Sequence, residues 1–392
     1  MTLSNCDQII LASAKIHLSD EELRGLNRLA ENVTDWDETV NRVINRAAGP
    51  LLYSKLPLLE ASLQIPEDAK EKLRQSYFVT MSRSMMLYDA FSKVTKILHE
   101  TEIKTVALKG IHLAEWLYGD IGLRQMSDID LLVRKEDASK TLTVLEKNGY
   151  ISYHNEVSDM ISEQSGIVHF QPMQKGGVSV EVHINLHRKR KKYQLNPDDF
   201  IERAQPLTLN KSNTDVLEIH DLIIFLCVHL DKHFVKGDMQ FTGFYDLVNL
   251  IDTRPNEINW DILLKRTITL NAETIVFKYL ILVSKFFRVS LPDEICNKYR
   301  YSVKEKDENL FRMYLNGYIA PNYEFAAHLK NLKQIQDFVS KMKYLSGVIF
   351  PDKQFMISAY NIKNHRFFWL YYPYRYWIGL KGFIRLLSVK NE

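Results

Sequence analysis

The sequence predicts an α+β protein: a small mixed β-sheet over about residues 101–205, between an N-terminal helical region (1–100) and a C-terminal helical region (206–392). Three observations predict it. Apolar residues recur every three or four positions through the first hundred residues. Between Ile103 and His183 short apolar runs bounded by glycine take over, with alternating polar and apolar positions. After Pro206 helical spacing returns.

Taken in order, Ser19 with Glu22 has the spacing of a capping box, and Asp35 with Glu38 repeats it ahead of Val40, Val43 and Ile44. From Leu73 the positions Tyr77, Met81, Met85, Tyr88, Phe91, Val94 and Leu98 define one long amphipathic helix with a core-facing stripe. Thr105-Val106-Ala107-Leu108 reads as a strand that ends at a glycine turn, Lys109-Gly110, and leads into a helix through Leu113, Trp116 and Leu117. Asp128 to Val133 is the next strand. Lys135 to Asn148 is helical and stops at Gly149. Ile167–Phe170 and Val178–Val182 read as a hairpin with a longish loop through Pro172 and Gly176-Gly177. Four helices follow, over Leu217–Leu230, Phe244–Ile251, Trp260–Leu270 and Thr274–Phe287. Asp35-Trp36-Asp37 and Asn259-Trp260-Asp261 echo each other, with Arg42 and Arg266 at the same offset, and shared helix-start chemistry explains the echo.

Composition narrows the function. The 392 residues are 46% hydrophobic and 25% charged, as in an ordinary globular protein with a sizeable core. A net charge of +3 is too small to argue for a dedicated nucleic-acid binder, so any basic surface is local. Cys6, Cys227 and Cys296 are far apart and odd in number, which points to a reducing compartment and no zinc cluster. With no signal-like N-terminus, and with Phe367 to Leu387 broken by Pro373, Arg375, Lys381 and Arg385, the expected location is the cytoplasm.

The stretch that carries chemistry is Ser127-Asp128-Ile129-Asp130-Leu131-Leu132-Val133. Strand alternation puts Ile129, Leu131 and Val133 on one side and Asp128, Asp130 and Leu132 on the other. Two carboxylates about 4 Å apart repel by roughly 4 kcal/mol at an effective dielectric near 20, so the pair needs a compensating charge or full solvation. A divalent cation supplies the first; an exposed edge strand supplies the second. Hard oxygen ligands suit Mg²⁺ or Mn²⁺. Fifty residues on, Ser179, Glu181 and His183 share the face opposite Val178, Val180 and Val182. Lys109-Gly110 stands where a backbone turn approaches phosphate at a helix N-terminus, and Arg124 precedes the acidic strand, placed to neutralise a leaving pyrophosphate. Such a set serves in-line nucleotidyl transfer: two carboxylates hold metal ions and a third binds an ion or accepts the proton.

These residues resemble a known signature. Leu108-Lys109-Gly110, Tyr118, Arg124 and the Ser127–Val133 strand are similar to the core of the polymerase-beta-type nucleotidyltransferase superfamily. They are closer still to a bacterial subfamily of uncharacterised nucleotidyltransferases. Asp35-Trp36-Asp37, Glu181-Val182-His183, His229 to His233, Asp246-Leu247 and Phe350-Pro351 before Met356 and Tyr360 extend the resemblance over about residues 20–385. It implies catalytic and metal-binding roles for Asp128, Asp130 and Glu181, nucleotide-binding roles for Lys109, Gly110, Arg124 and Ser127, a Mg²⁺ or Mn²⁺ cofactor, and an NTP donor such as ATP. Lys109-Gly110 departs from the superfamily's usual Gly-Ser or Gly-Gly: either the lysine takes over phosphate binding as a point charge, or the site handles a different donor. The acceptor, whether small molecule, peptide, saccharide, protein or RNA, is not specified. A catalytically inactive nucleotide-binding regulator and an RNA-binding or RNA-modifying protein are the alternative functions.

Other features have bland and sharp readings. His229 and His233, four apart on a helix, have a zinc-pair spacing but no third ligand, and read as buried histidines or acceptor-pocket residues. His183 either faces the acids or lies on an exposed strand face. Arg188-Lys189-Arg190-Lys191-Lys192 reads as a solvated loop or an anion-attracting patch. The aromatic run Phe367 to Trp377 reads first as a terminal helix docked on the core with Arg and Tyr reaching solvent, and otherwise as a surface that stacks bases or sits at a membrane interface.

Overall fold

Val106-Ala107-Leu108 (β1) and Ile129-Asp130-Leu131-Leu132 (β2) pair antiparallel, with Leu108 opposite Asp130 and Val106 opposite Leu132. Every residue of both strands is buried, so these strands read as apolar runs with one polar residue embedded. The computed structural model describes residues 3–60, 63–152, 168–187, 193–236, 239–317, 338–351, 353, 356 and 365–377. The Arg188–Lys192 run lies outside the described residues.

Five more strands complete the sheet: β3 (Ile151–Ser152), β4 (Met173–Lys175), β5 (Val178–His183), β6 (Gln205–Leu209) and β7 (Ser212–Val216), in the order β3-β4-β5-β2-β1-β7-β6. β2 pairs parallel with β5 and β1 parallel with β7; the remaining pairs are antiparallel. The sheet is therefore mixed, as expected.

Two strand assignments are corrected. The partner of β5 is β4, joined by a tight Gly176-Gly177 turn with φ of +56° and +78°, the twist-matched geometry of a two-residue hairpin. Of the expected Ile167–Phe170 strand, Ile167 lies outside the described residues, and the rest runs antiparallel to the end of β5, with His169 bridging His183 and Phe170 N donating to Val182 O at 2.9 Å. The chain also does not become helical directly after Pro206. It first forms the β6–β7 hairpin, turning at Asn210 and Lys211 with φ of +45° and +63°. Leu209 and Val216 are buried while their neighbours Thr208 and Asp215 are more exposed, a short alternation that helical spacing does not account for.

The sheet's two faces belong to different cores. Ala107, Ile129, Leu131, Val133, Val178, Val180 and Val182 pack against Leu87, Phe91, Val94 and Leu98 of the long helix Glu67–His99 and Leu145 of the helix Ala138–Lys147. Val106, Leu108 and Leu132 belong to a second core, built from the N-terminal helices together with Ile219–Lys236, Phe241–Thr253 and Glu273–Phe287. Burial of each such aliphatic side chain contributes about 1.5–3 kcal/mol. The terminal helical parts pack together, with Ile16 N donating to Asn249 Oδ1 at 2.7 Å and Tyr245 Oη to Arg46 O at 2.7 Å. The acids of β2 and β5 face this second core.

Helix starts follow the sequence. Ser19 and Glu22 form the reciprocal capping box, and Asp35 and Asn259 accept from the first-turn amides of their helices. The stripe on the long helix differs from expectation: it runs through Leu73, Thr80, Ser84, Leu87 and Phe91, leaving Met85 60% exposed. Tyr88, Phe91, Val94 and Leu98 are buried as expected and Tyr77 packs half-buried on the core, but steps of four residues advance 40° too far each time, so Met85 leaves the contact line that the small Thr80 and Ser84 keep. The aromatic run is corrected as well. Phe367, Trp369, Tyr374 and Trp377 are each about half exposed, with Tyr372 and Tyr376 contacting Phe350. Cations and aromatics alternate too finely there to give one apolar stripe. No described helix is long and apolar enough to cross a membrane.

Candidate functional site

The parallel register of β2 and β5 sets Asp130 beside Glu181 and Leu132 beside His183, all on one face. Asp130 is almost fully buried, and Oδ1 accepts from Lys109 Nζ at 2.8 Å and from His183 Nε2 at 2.7 Å. His183 Nε2 also lies 3.5 Å from Glu181 Oε2, and His169 Nδ1 lies 3.8 Å from the same oxygen. Because both neighbours of His183 Nε2 are carboxylates, that nitrogen carries the proton; Nδ1 has no hydrogen-bond partner among the described residues.

The electrostatics follow from burial and this packing of charge. Burial and the Asp130 and Glu181 charges push the Asp128 carboxyl up to about 6, partly offset by Lys109. Burial opposes ionisation of Asp130, yet the Lys109 ammonium and His183 hold it well below the usual carboxylate range. For Lys109, burial would discourage the charge, and the attraction of Asp130, with Asp128 and Glu181, overcomes it and raises the pKa. His183 behaves the same way, raised by its hydrogen bonds to Asp130 and Glu181 against burial. One ammonium thus faces three carboxylates, an arrangement that attracts further positive charge.

Lys109 and Gly110 divide the turn's work differently from the expected glycine turn. Lys109 itself adopts the left-handed conformation, φ +48°, at the start of the helix Lys109–Trp116. Gly110 is required for space: a Cβ there would lie 2.8 Å from Arg124 Nη1 and 2.9 Å from Met126 Cβ. Arg124 is 7% exposed and bound bidentately to Asp246, Nε to Oδ1 at 2.8 Å and Nη2 to Oδ2 at 2.7 Å. Tyr118 Oη donates to the same carboxylate at 3.0 Å. Nε and Nη2 are committed to Asp246 and fasten the acidic turn to the helix Phe241–Thr253, while Nη1 lies beside Gly110 on the cavity, bonded to Gln125 O at 3.3 Å. Ser127 is exposed at the rim, its carbonyl accepting from Arg83 Nη2 at 2.5 Å.

All seven sequence-predicted residues line one cavity of about 600 Å³. Its far side carries Arg46, Phe241 and Tyr314 from the helical parts, with His229, Lys232 and His233 from the helix Ile219–Lys236. His229 and His233 meet Nε2 to Nε2 at 3.1 Å, which requires one to donate and the other to accept. Burial and the Lys109 charge hold His229 neutral, well below the usual imidazole range. They are pocket residues, as one reading of them had it. Sequence reasoning missed Arg46, His169 and Tyr314. His169 had a signal in its place on the edge leading to β4; Arg46 and Tyr314 arrive only through packing of the distant helical parts.

The donor set fits a hard divalent cation. Ligand atoms of Asp130, Glu181 and His183 lie within 4.8 Å of one another, and Asp128 opens on the same cavity. A mixed sheet that sets paired acids beside a lysine-glycine turn on one partly open cavity is an arrangement that can hold a divalent cation next to phosphate oxygens.

A family described as uncharacterised nucleotidyltransferase matches residues 32–288. The chain belongs to that nucleotidyltransferase family and is a transferase. Curated protein sequences give no match. Among solved structures it is similar to the solution structure of the antibiotic-resistance factor ANT(2'')-Ia, at 8% identity and a TM-score of 0.34, covering 47% of this chain and 93% of that one. At that distance the likeness carries no weight for the chemistry.

Proposed function

We propose that this protein transfers a nucleoside monophosphate from an NTP to a hydroxyl or similar nucleophile, with Mg²⁺ or Mn²⁺ bound by Asp128, Asp130 and Glu181. The observation that supports it is the in-register Asp130–Glu181 pair, with Asp128 two residues away, opening on the same cavity as Lys109-Gly110. When bound, the cation neutralises the triphosphate and lowers the pKa of the acceptor hydroxyl.

The chain's own residues do the rest. Lys109 offers its ammonium to a phosphate oxygen, and Gly110 admits the triphosphate close to the backbone where a side chain would block it. Ser127 offers its hydroxyl at the rim. Arg124, locked to Asp246, holds the turn that carries Gln125 to Asp128, and so positions the acids. His183 keeps Asp130 and Glu181 oriented, and the buried floor limits competing water. Catalysis is then mostly positioning and charge compensation. The acceptor enters between the helical parts, past Arg46, Phe241 and Tyr314. The three free cysteines suit a reducing, cytoplasmic setting.

Incubation with each α-labelled NTP, Mg²⁺ and a cell extract tests the reading, comparing wild type with Asp128→Asn/Asp130→Asn. Label moves to an acceptor with wild type alone; equal transfer by both proteins overturns the proposal.

A further inference from the structure

Lys109 is placed on the acids rather than in the open cavity. Its ammonium lies 2.8 Å from Asp130 Oδ1, and its side chain is 17% exposed against 3% for Asp130. His183 Nε2 reaches the same oxygen at 2.7 Å, so the two lone pairs of Oδ1 are both engaged. A cation that binds Asp130 through that oxygen must displace one of these donors. His183 sits on β5, fixed opposite Leu132 by the strand register. Lys109 is the movable partner: it hangs on a four-carbon stem at the cavity wall, beside Gly110.

Arg124, beside the same turn, offers no substitute. Arg124 is held by two hydrogen bonds to Asp246, so it neither guards the acids nor leaves its place for a phosphate. Lys109 touches Asp130 while lining the cavity where phosphates would lie. Building on the metal-dependent reading above, we infer that Lys109 is a resident counter-ion of Asp130 that gives way to the divalent cation only as a triphosphate arrives to receive its ammonium. Metal and nucleotide therefore bind as a coupled pair: each removes the cost that Lys109 imposes on the other. Metal alone must compete with the ammonium for Asp130, and nucleotide alone must pull the ammonium off a buried carboxylate left with His183 as its partner.

Mn²⁺ binding, read by electron paramagnetic resonance with and without the α,β-methylene analogues of ATP and GTP, tests this on wild type and Lys109→Met. Removal of the ammonium is expected to tighten Mn²⁺ binding without nucleotide by on the order of tenfold, and to shrink the tightening that nucleotide produces. Circular dichroism checks the fold, and Lys109→Gln replaces the Met variant if that one does not fold. Equal or weaker binding of Mn²⁺ alone by the folded variant, with a wild type that binds Mn²⁺ and transfers label, overturns the counter-ion role and leaves the transferase reading standing. A wild type that binds no Mn²⁺ even with nucleotide overturns both.

Discussion

Removing either partner of the Arg124–Asp246 pair is expected to be far more damaging than removing both. The two side chains are 8% and 1% exposed and share two hydrogen bonds of 2.8 and 2.7 Å. Burial works against the Arg124 charge, and the Asp246 carboxylate reverses this and raises the guanidinium pKa. Asp246→Leu leaves that cation buried without a counter-ion and takes the acceptor from Tyr118. Arg124→Met leaves the carboxylate with Tyr118 alone. Each single change should cost about 3–5 kcal/mol, whereas the double replacement leaves no buried charge. Loss of one neutral partner, Tyr118→Phe, should cost about 1 kcal/mol. Equilibrium urea unfolding of the four proteins of the cycle, followed by tryptophan fluorescence, gives the coupling, expected at more than about 5 kcal/mol in favour of the pair, because the two single losses sum to about 6–10 kcal/mol while the double replacement costs little. Additive single effects, or singles that each cost under about 1 kcal/mol, would refute the account of how the acidic turn is fastened.

Two further stability predictions rest on single positions. Gly110→Ala should destabilise by about 1–3 kcal/mol, because its Cβ would meet Arg124 and Met126 at 2.8 and 2.9 Å; Gly25→Ala, on an open helix face, should stabilise by up to about 1 kcal/mol. Both are read by urea midpoints, and equal effects at the two glycines would contradict the steric argument. Lys55 is 1% exposed, and burial pushes its pKa from 10.5 down to about 8. The unfolded chain therefore binds more protons between those values, so wild-type stability gains from this residue as pH rises through that window, and the penalty is complete below it. Lys55→Met should be more stable by about 2–3 kcal/mol at pH 7, an advantage fading towards pH 10.5; a difference that stays flat with pH rules this out.

What was legible in the sequence was the part written in short-range alternation. Asp128-Ile129-Asp130 and Val180-Glu181-Val182 each show which side chains share a face, and the structure keeps both patterns. Helix starts were legible for the same reason, since a cap acts over three residues. The β6–β7 hairpin was not, because Asn210-Lys211 takes left-handed geometry without a glycine and the flanking strands are mostly polar. Nor was the pairing of Arg124 with Asp246, 122 positions apart, or the arrival of Arg46 and Tyr314 at the cavity, because these depend on how the helical parts pack. Lys109 was readable as a phosphate-binding charge; its contact with Asp130 required the register of β1 on β2.

The most direct measurement of the central claim is a crystal structure with Mn²⁺ and an α,β-methylene NTP, with the metal located by anomalous scattering. The account predicts Mn²⁺ bound by carboxylate oxygens of Asp130 and Glu181, with phosphate oxygens completing its shell and Lys109 turned to the nucleotide. Mn²⁺ and nucleotide bound elsewhere, for example at His229 and His233 with the acids still paired to Lys109, would contradict it.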